Sequence, residues 1–423
     1  MIVWVVEVGE PLPIDGEFPR LMRAGLVAET LTAIGHDVTW WTSAFSHTAK
    51  TMRPTGDHEI NVGDRRYLLI TLRSIGYKRH MSPRRFIDHR INASAFRRAA
   101  KGRPKPDVIM VGMPTVELAR AVSRFASSQA VPFVVDVRDL WPDMIYDRFP
   151  RFSHPVVRLL CWPMKRDATI ACRLASGVIG ITDRYVDWGV RLAGRPRRAL
   201  DRSFSLAYRH VSSNPASARA AEDFWRNLGI APDNLVFSFV GSLTRQFDFD
   251  PILTVARQWI TENSHVKFVL AGQGPLHEEL SRLSKGCSNV VLPGWIDAPQ
   301  IAWLLEHSVA GLAPYQATTN FLENIPNKIV EYLSFGCPLV ATLGDGLVGE
   351  LVRDHGVGAC YSPGNAAELA DTLSSLVNDS PRRNEAAAAA RQLFDNEYRA
   401  ETVYGELAEH LSTIANSAKG HGT

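Results

Sequence analysis

The sequence predicts an α/β protein of two domains, each built on a parallel sheet. Short apolar runs alternate with helix-like segments along both halves of the chain, the signature of strand–helix–strand crossovers. That alternation breaks once, near residue 200, at a polar, turn-rich stretch. At 423 residues the chain is long enough for two domains of ordinary size, and 45% hydrophobic with 22% charged residues is a globular composition.

Ile2 to Val6 reads as the first strand, Leu21 to Ile34 as a helix stopped by Gly35, and Asp37 to Thr42 as the next strand. Further strands are expected at Tyr67 to Leu72, Val108 to Val111, Phe133 to Val137 and Val178 to Ile181. Helices fit Val116 to Ser127 and Val156 to Ala175, the second kinked at Pro163, which has no N–H to donate. Gly194-Arg-Pro-Arg-Arg198 and Ser212-Ser-Asn-Pro215 mark the domain change, giving a first domain over 1–200 and a second over 201–395.

The second domain opens with Phe237-Ser-Phe-Val-Gly241 and continues with strands at Lys267 to Ala271, Val290 to Leu292, Gly311 to Pro314, Leu339 to Ala341 and Gly358 to Tyr361. Helices are expected over Ala366 to Val377 and Ala386 to Leu393. A last one follows the break at Asp395-Asn396, so that 396–423 crosses back to the first domain, with Lys419 to Thr423 frayed.

Net charge is 47 − 44 = +3, too small to argue for nucleic acid, but its distribution is uneven. From Lys78 to Lys105 ten Lys or Arg face a single acid, Asp88, interleaved with Tyr77, Met81, Phe86, Ile87, Ile91 and Phe96. This is the pattern of a segment lying on anionic lipid; a solvated surface helix and a nucleic-acid patch are the other readings. No apolar run reaches the length of a membrane span, so attachment is expected to be peripheral. The strand-like start lacks the basic residues of a signal peptide, and Asn92-Ala-Ser94 without one carries little weight as a glycosylation sequon. Five scattered cysteines without metal-ligand spacing read as free thiols in a reducing cytoplasm.

The chemistry concentrates between Glu323 and Pro338, where two carboxylates, Glu323 and Glu331, are separated by seven residues. Pro326 suits the first position of a short helix and Gly336 its left-handed stop, predicting a helix over Pro326 to Phe335. The amides of Asn327 and Lys328 then lack intrahelical partners at the positive end of the helix dipole, a place for a diphosphate, and Lys328 adds a full charge. Paired carboxylates suit vicinal hydroxyls of a sugar, although two solvated glutamates on an amphipathic helix would give the same spacing.

Three strand-to-loop junctions carry glycine: Gly241-Ser242, Gly272-Gln-Gly274 and Gly294-Trp295. Ligands of open α/β sheets bind beyond the carboxyl ends of the strands, so these loops should face one crevice with the helix at Pro326. Arg245 would reach a diphosphate and stabilise charge on a leaving group. Gly16 would bring first-domain backbone near the same ligand, and Arg20 and Arg23 open the following helix. No P-loop, dinucleotide fingerprint or H-E-x-x-H spacing is present, which argues against a dehydrogenase and for a mechanism without metal.

Taken together, Gly16, Gly35-His-Asp-Val38, Asp107-Val-Ile109, Phe239-Val-Gly-Ser242, Ala271-Gly-Gln-Gly-Pro275, Gly294-Trp-Ile296, the acidic pair and Gly336-Cys-Pro338 resemble the retaining glycosyltransferases of family 4. The resemblance implies the GT-B fold, two Rossmann-like domains facing a central cleft, with no cofactor and no divalent metal. Asp136-Val-Arg-Asp-Leu-Trp-Pro142 and Ile325-Pro-Asn-Lys-Ile-Val-Glu-Tyr-Leu333 look like the subgroup that transfers aminodeoxy sugars onto lipid-linked acceptors of O-antigen and capsule.

It implies that Glu331 binds the donor ribose and Glu323 the transferred sugar, with Asn324, Ile325 and the helix amides at the sugar and diphosphate and Arg245 and Lys328 on the phosphates. The donor would be a nucleotide-diphosphate sugar, UDP in preference to GDP. The acceptor would be a lipid-linked saccharide, met at the inner face of the cell membrane through the basic segment over 77–105, Arg84, Arg85 and Phe86 included. No nucleic-acid partner is expected.

Two departures stand out. The loop after Gly241 reads Arg245-Gln-Phe-Asp-Phe-Asp250 without the family's lysine, and Met110-Val-Gly-Met-Pro114 lacks the family's histidine, leaving Arg138 and Asp139 as substitutes at the acceptor side. The rival expectations are a nucleotide-sugar epimerase or hydrolase of the same fold, and a non-catalytic protein that binds lipid or nucleic acid through its basic segment.

Overall fold

A computed structural model describes residues 1–16, 20–79, 82–209, 214–263 and 265–420. The chain divides into two compact units, Met1–Ser205 with Ala400–Thr423, and Leu206–Arg399. Both are α/β, in keeping with the alternating pattern.

In the first unit the elements run β1 (Ile2–Val6), α1 (Arg23–Ala33), β2 (Asp37–Ser43), β3 (Gly56–Val62), β4 (Arg65–Leu72), α2 (Pro83–Ala99), β5 (Val108–Met113), α3 (Val116–Ser128), β6 (Phe133–Val137), α4 (His154–Leu174), β7 (Gly177–Gly180), α5 (Asp183–Ala193) and β8 (Arg202–Ser203). The sheet order is β3-β4-β2-β1-β5-β6-β7-β8. All pairings are parallel except β3 with β4. Its central six strands have the doubly wound order, which reverses between β1 and β5.

The sequence does not mark β3. It is an antiparallel edge strand whose residues alternate between exposed and half-buried, so it contributes no apolar run to read. The sheet's aromatic core joins Trp4 to Trp41 at 5.0 Å between ring centroids, Trp4 to Phe125 at 5.2 Å and Trp41 to Phe96 at 5.2 Å.

Phe96 thereby corrects the apolar edge expected of the basic segment. Tyr77 and Phe96 are buried, Phe86 and Ile91 half-buried, and Ile87 is exposed, while Met81 lies outside the described residues. α2 turns Phe96 into the core and presents a basic outer face.

The second unit runs α6 (Pro215–Asn227), β9 (Leu235–Val240), α7 (Asp250–Glu262), β10 (Val266–Ala271), α8 (His277–Leu283), β11 (Val290–Val291), α9 (Ala298–Glu306), β12 (Ser308–Ala313), α10 (Thr319–Leu322), α11 (Asn327–Ser334), β13 (Leu339–Ala341), α12 (Leu347–His355), β14 (Gly358–Cys360), α13 (Ala366–Asn378) and α14 (Ser380–Glu397). Its six parallel strands take the order β11-β10-β9-β12-β13-β14, so the direction of winding reverses between β9 and β12. In such a sheet the crevice beyond the carboxyl ends of β9 and β12 is where a ligand is held.

The chain then returns to the first unit as α15 (Ala400–Gly420), which packs on α1 and β5. Lys419 is not frayed: it continues the helix and pairs with Asp107 at 2.8 Å, while residues 421–423 lie outside the described part. All five cysteines are free thiols. Among the described residues no helix is long and apolar enough to cross a membrane.

Candidate active site

The three predicted glycine junctions meet at the carboxyl end of the second sheet. The Gly241 amide donates to the Ala271 carbonyl at 2.9 Å, Leu243 to Gln273 at 2.9 Å, and Gly272 to Gly294 at 2.7 Å. The loops after β9, β10 and β11 are thus tied edge to edge. A side chain does not fit where they touch: a Cβ on Gly272 would lie 1.9 Å from the Gly241 carbonyl oxygen, and one on Gly274 2.3 Å from that of Leu243. Gly241, Gly272 and Gly274 also have positive φ, which favours glycine.

The helix predicted at Pro326 begins one residue later than expected. Pro326 is extended and acts as the cap, its carbonyl accepting from Ile329 at 2.9 Å, and α11 runs Asn327–Ser334. The amides of Asn327 and Lys328 precede the first intrahelical bond, so the expected donors stand at the helix start.

Tyr332 anchors α11 at the point of reversal. Its hydroxyl accepts from the Val240 amide at 3.0 Å and donates to the Leu312 carbonyl at 3.3 Å, spanning the ends of β9 and β12. Gly311 is required beneath it, since a Cβ there would lie 2.3 Å from the ring. One turn earlier on the same face, Lys328 reaches the same strand end. Its ammonium donates to the Val240 carbonyl and sits 3.9 Å from the centroid of Phe239. The sequence marks Lys328 as a diphosphate ligand; the structure places its charge under the Gly241 loop. Nothing in the spacing reveals Tyr332, because a buried tyrosine on a helix reads as core.

Glu331, between these two anchors, is only 4% exposed, which removes the reading of a solvated glutamate. Burial pushes the phenols of Tyr315 and Tyr332 up, and the Glu331 carboxylate adds to both shifts. Glu323 is half-buried at the end of α10, and Ile325 is half-buried in the link to α11. Between them Asn324 is buried, and its Oδ1 has no hydrogen-bond partner among the described residues. Thr244 Oγ1, on the loop after β9, and His277 Nδ1, at the start of α8, are likewise buried with no hydrogen-bond partner among the described residues. Orphaned polar atoms of this kind are costly unless a ligand or water completes them. The sequence gives no hint of Thr244 and His277; an isolated threonine and histidine carry no spacing signal.

Ser242, Trp295 and Arg245 lie at the surface of the same loops. Arg245 is 85% exposed, its ion-pair partner being Glu279 at 3.7 Å. The guanidinium is therefore a long exposed cation beside the glycine loops.

The first unit carries its charges at the corresponding end of its own sheet. Glu7 follows β1 and occupies the space above Gly112 of β5, where a Cβ would lie 1.3 Å from its carboxylate. Arg138, after β6, pairs with Glu7 at 3.3 Å and with Glu10. The Arg138 guanidinium is thus held by two buried glutamates, and the Asp139 amide donates to the Met113 carbonyl. Arg23, at the start of α1, is buried, bidentate to Asp136 at 2.8 and 3.0 Å, and donates to the carbonyls of Phe204 and Ser205.

Burial pushes the Glu7 carboxyl up to about 8, with Arg138 opposing and Glu10 and Asp136 reinforcing the shift. Gly16 has a positive φ and is exposed in the loop before α1, with open space on the side where a Cβ would stand. Arg84 donates to the carbonyls of Gly76 and Ile75 at 2.8 and 2.9 Å, and Arg85 lies 4.6 Å over Trp141, so both basic residues also serve the unit's own structure.

A doubly wound sheet with glycine loops, a helix start and a buried carboxylate at its reversal point brings amide donors and a carboxylate acceptor to one crevice. Residues 234–379 match the model of glycosyl transferases group 1. The match contains every second-unit residue of the site. Alpha-D-kanosaminyltransferase of Streptomyces kanamyceticus is 25% identical over 264 residues, 62% of this chain; the matched part spans 64% of that enzyme's length. Sucrose-phosphate synthase of Thermosynechococcus elongatus superposes with a TM-score of 0.75 at 14% identity, covering 98% of this chain and 99% of that one. Anabaena HepE, solved with UDP and glucose, gives a TM-score of 0.65 at 16% identity, covering 98% and 100%. These likenesses show the fold, GT-B, and a resemblance of residues 234–379 to the glycosyl transferases group 1.

Proposed function

We propose that the protein is a retaining glycosyltransferase that moves a sugar from a nucleotide diphosphate, UDP in preference to GDP, to a lipid-linked saccharide in surface polysaccharide synthesis of the O-antigen or capsule type. The observation that carries the reading is the position of Lys328, Glu331 and the start of α11 against the stitched glycine loops at the β9/β12 reversal. Such a place holds the nucleotide half of a donor: backbone amides and the helix dipole face a diphosphate, and a buried carboxylate accepts from paired hydroxyls.

Breaking the glycosidic bond places negative charge on the departing diphosphate. Cations fixed before the reaction stabilise that charge more in the transition state than in the ground state. Here the compensation comes from the α11 amides, the buried Lys328 and the long arm of Arg245, so the mechanism needs no divalent metal. Glu323 and Asn324 are assigned to the sugar, and Asn324 Oδ1 gains the partner it otherwise lacks. The HepE complex with UDP and glucose and the kanosaminyltransferase supply the precedent for a nucleotide donor and an aminodeoxy sugar. The protein would work at the inner face of the cell membrane, held peripherally with the basic outer face of α2 contributing.

The test is incubation of the full chain with a panel of UDP- and GDP-sugars and a lipid-linked saccharide, in the presence and absence of EDTA, followed by mass spectrometry of the lipid product. A glycosylated lipid formed with retained anomeric configuration and unaffected by EDTA is expected. Free sugar or an isomerised donor as the sole product, with or without acceptor, overturns transfer in favour of a hydrolase or epimerase.

A further inference from the structure

We propose that α4 is the membrane-docking element of the protein and that its outer face lies on the surface of an anionic bilayer. The helix is apolar on two sides. Val157, Cys161, Met164, Ala168, Ala171 and Cys172 are buried, and the helix packs against α3 and α5. A second stripe, Val156, Leu159, Leu160 and Pro163, recurs at helical spacing on the outside, with Trp162 next to it and Phe152 in the turn that leads into the helix. Phe152 is 87%, Leu159 75% and Leu160 73% exposed, and Val156 and Trp162 are also largely exposed. A contiguous set of large apolar side chains in water marks an interaction surface rather than the scattered exposure common to all proteins.

Charge selects the occupant. Between Asp147 and Asp167 the chain contains no acid, while Arg151, Arg158, Lys165 and Arg166 lie within it. Arg151, Arg158 and Arg166 are exposed at the margin of the stripe, with Arg166 5.6 Å from the Trp162 ring. Cations bordering an apolar helical face, with an indole at the margin, are the arrangement by which a helix lies in the headgroup region, its arginines reaching lipid phosphate.

A second copy of the chain fits less well, since a twofold contact through this face would set the same unopposed cations against each other. α3 also packs between α4 and α2. The basic outer face of α2 therefore belongs to the same helical layer and extends the positive field beside the stripe. Because the inner side of α4 is fixed in the core, the surface is preformed.

The inference rests on the proposed lipid-linked acceptor for its purpose, and the experiment separates the two. The full chain is sedimented with vesicles of phosphatidylcholine, with and without phosphatidylglycerol, in the absence of donor and acceptor. Binding that requires phosphatidylglycerol is expected. Leu159→Ser/Leu160→Ser should weaken it by at least about tenfold, as loss of two inserted leucines demands. Arg158→Glu/Arg166→Glu, which leaves the stripe intact, should abolish the preference for anionic vesicles, and circular dichroism checks that each variant is folded.

Undiminished binding by both variants overturns the proposal. So does binding that is lost only with Arg90→Glu/Arg97→Glu on α2, or a concentration-dependent dimer that Leu159→Ser/Leu160→Ser dissolves while no vesicle is bound. Loss of vesicle binding with full transfer to a detergent-dispersed acceptor would support the α4 surface and leave the reaction untouched. Intact vesicle binding without any transfer would count against the reaction alone.

Discussion

Lys328 stands directly beneath Gly241: a Cβ placed on the glycine would lie 2.5 Å from the lysine ammonium. The same ammonium bonds the Val240 carbonyl, so the strand end, the glycine loop and the first turn of α11 form one connected unit. A diphosphate lying on the loop amides would be within the field of a charge that is shielded from water and pointed at it from below. Buried charges act more strongly than exposed ones because less solvent screens them.

Replacing Lys328 by Met retains the bulk of the side chain and removes the charge. If the ammonium stabilises the leaving diphosphate, turnover should fall by about 10²- to 10³-fold, the usual loss on removing one such donor. Steady-state kinetics with the donor sugar, alongside a thermal melt to confirm folding, measures this. A folded Lys328→Met variant with unchanged kcat would rule out the role.

Gly272→Ala tests the stitching of the loops. The added methyl would meet the Gly241 carbonyl, a backbone atom that cannot rotate away, in a residue whose φ is also unfavourable for alanine. Strain of about 1–3 kcal/mol is expected for such a residue, together with weaker UDP binding by calorimetry. Gly286, whose φ is positive but which has open space around it, serves as the control, since Gly286→Ala should cost stability without affecting UDP.

The two glutamates should separate kinetically. Glu331→Gln keeps the shape of a buried side chain but weakens its acceptor strength, raising the donor KM by about 10- to 100-fold, as expected for a charged hydrogen bond worth roughly 1.5–3 kcal/mol. Glu323→Gln should act on kcat, since its proposed partner is the transferred sugar. Arg245→Ala should lower turnover without moving the melting temperature, because the side chain is almost wholly in solvent. Identical effects of the two glutamine variants on KM and kcat would argue against the division of roles.

Stability should fall as pH rises from 4.5 to about 8, and Glu7 is the reason. Arg138 is shared by Glu7 and Glu10, and Arg23 is committed to Asp136, so three buried carboxyls face two guanidinium groups. One carboxyl is left without a full counter-charge, and burial pushes Glu7 up to about 8 from 4.5. A carboxyl raised on folding contributes its stability fully below pH 4.5 and loses it as pH rises through about 8. Glu7→Gln mimics the neutral form, so its stability relative to the natural protein should rise across that window and level off above it. Denaturant melts at several pH values read this directly; parallel profiles for the two proteins would show that Glu7 is ionised throughout.

Much of the scaffold is legible in the sequence because apolar runs bounded by turn residues can be read without neighbours. The strands Phe133–Val137 and Leu339–Ala341 fall where the sequence places them, and the helix over Ala366 onward differs by one residue at its end. The edge strand Gly56–Val62 is not legible, since one antiparallel neighbour satisfies it without an apolar pattern. The basic segment is legible only in part, because its aromatic residues carry no mark of direction. Packing alone sends Phe96 into the Trp4 and Trp41 cluster, while the apolar face left in water belongs to α4.

The sequence by itself determined the alternation of strand and helix, the glycine junctions and the spacing of Glu323 and Glu331, because these depend on local conformation and on residue type. Tertiary structure alone decided what those residues face. It turned Lys328 toward Val240, buried Glu331, locked Tyr332 across β9 and β12, and committed Arg23 and Arg138 to carboxylates in their own unit. The physical reason is that a charge or hydroxyl removed from water must find its partner wherever the fold brings one, and such a partner can lie far away along the chain, as Asp136 does at 113 residues from Arg23.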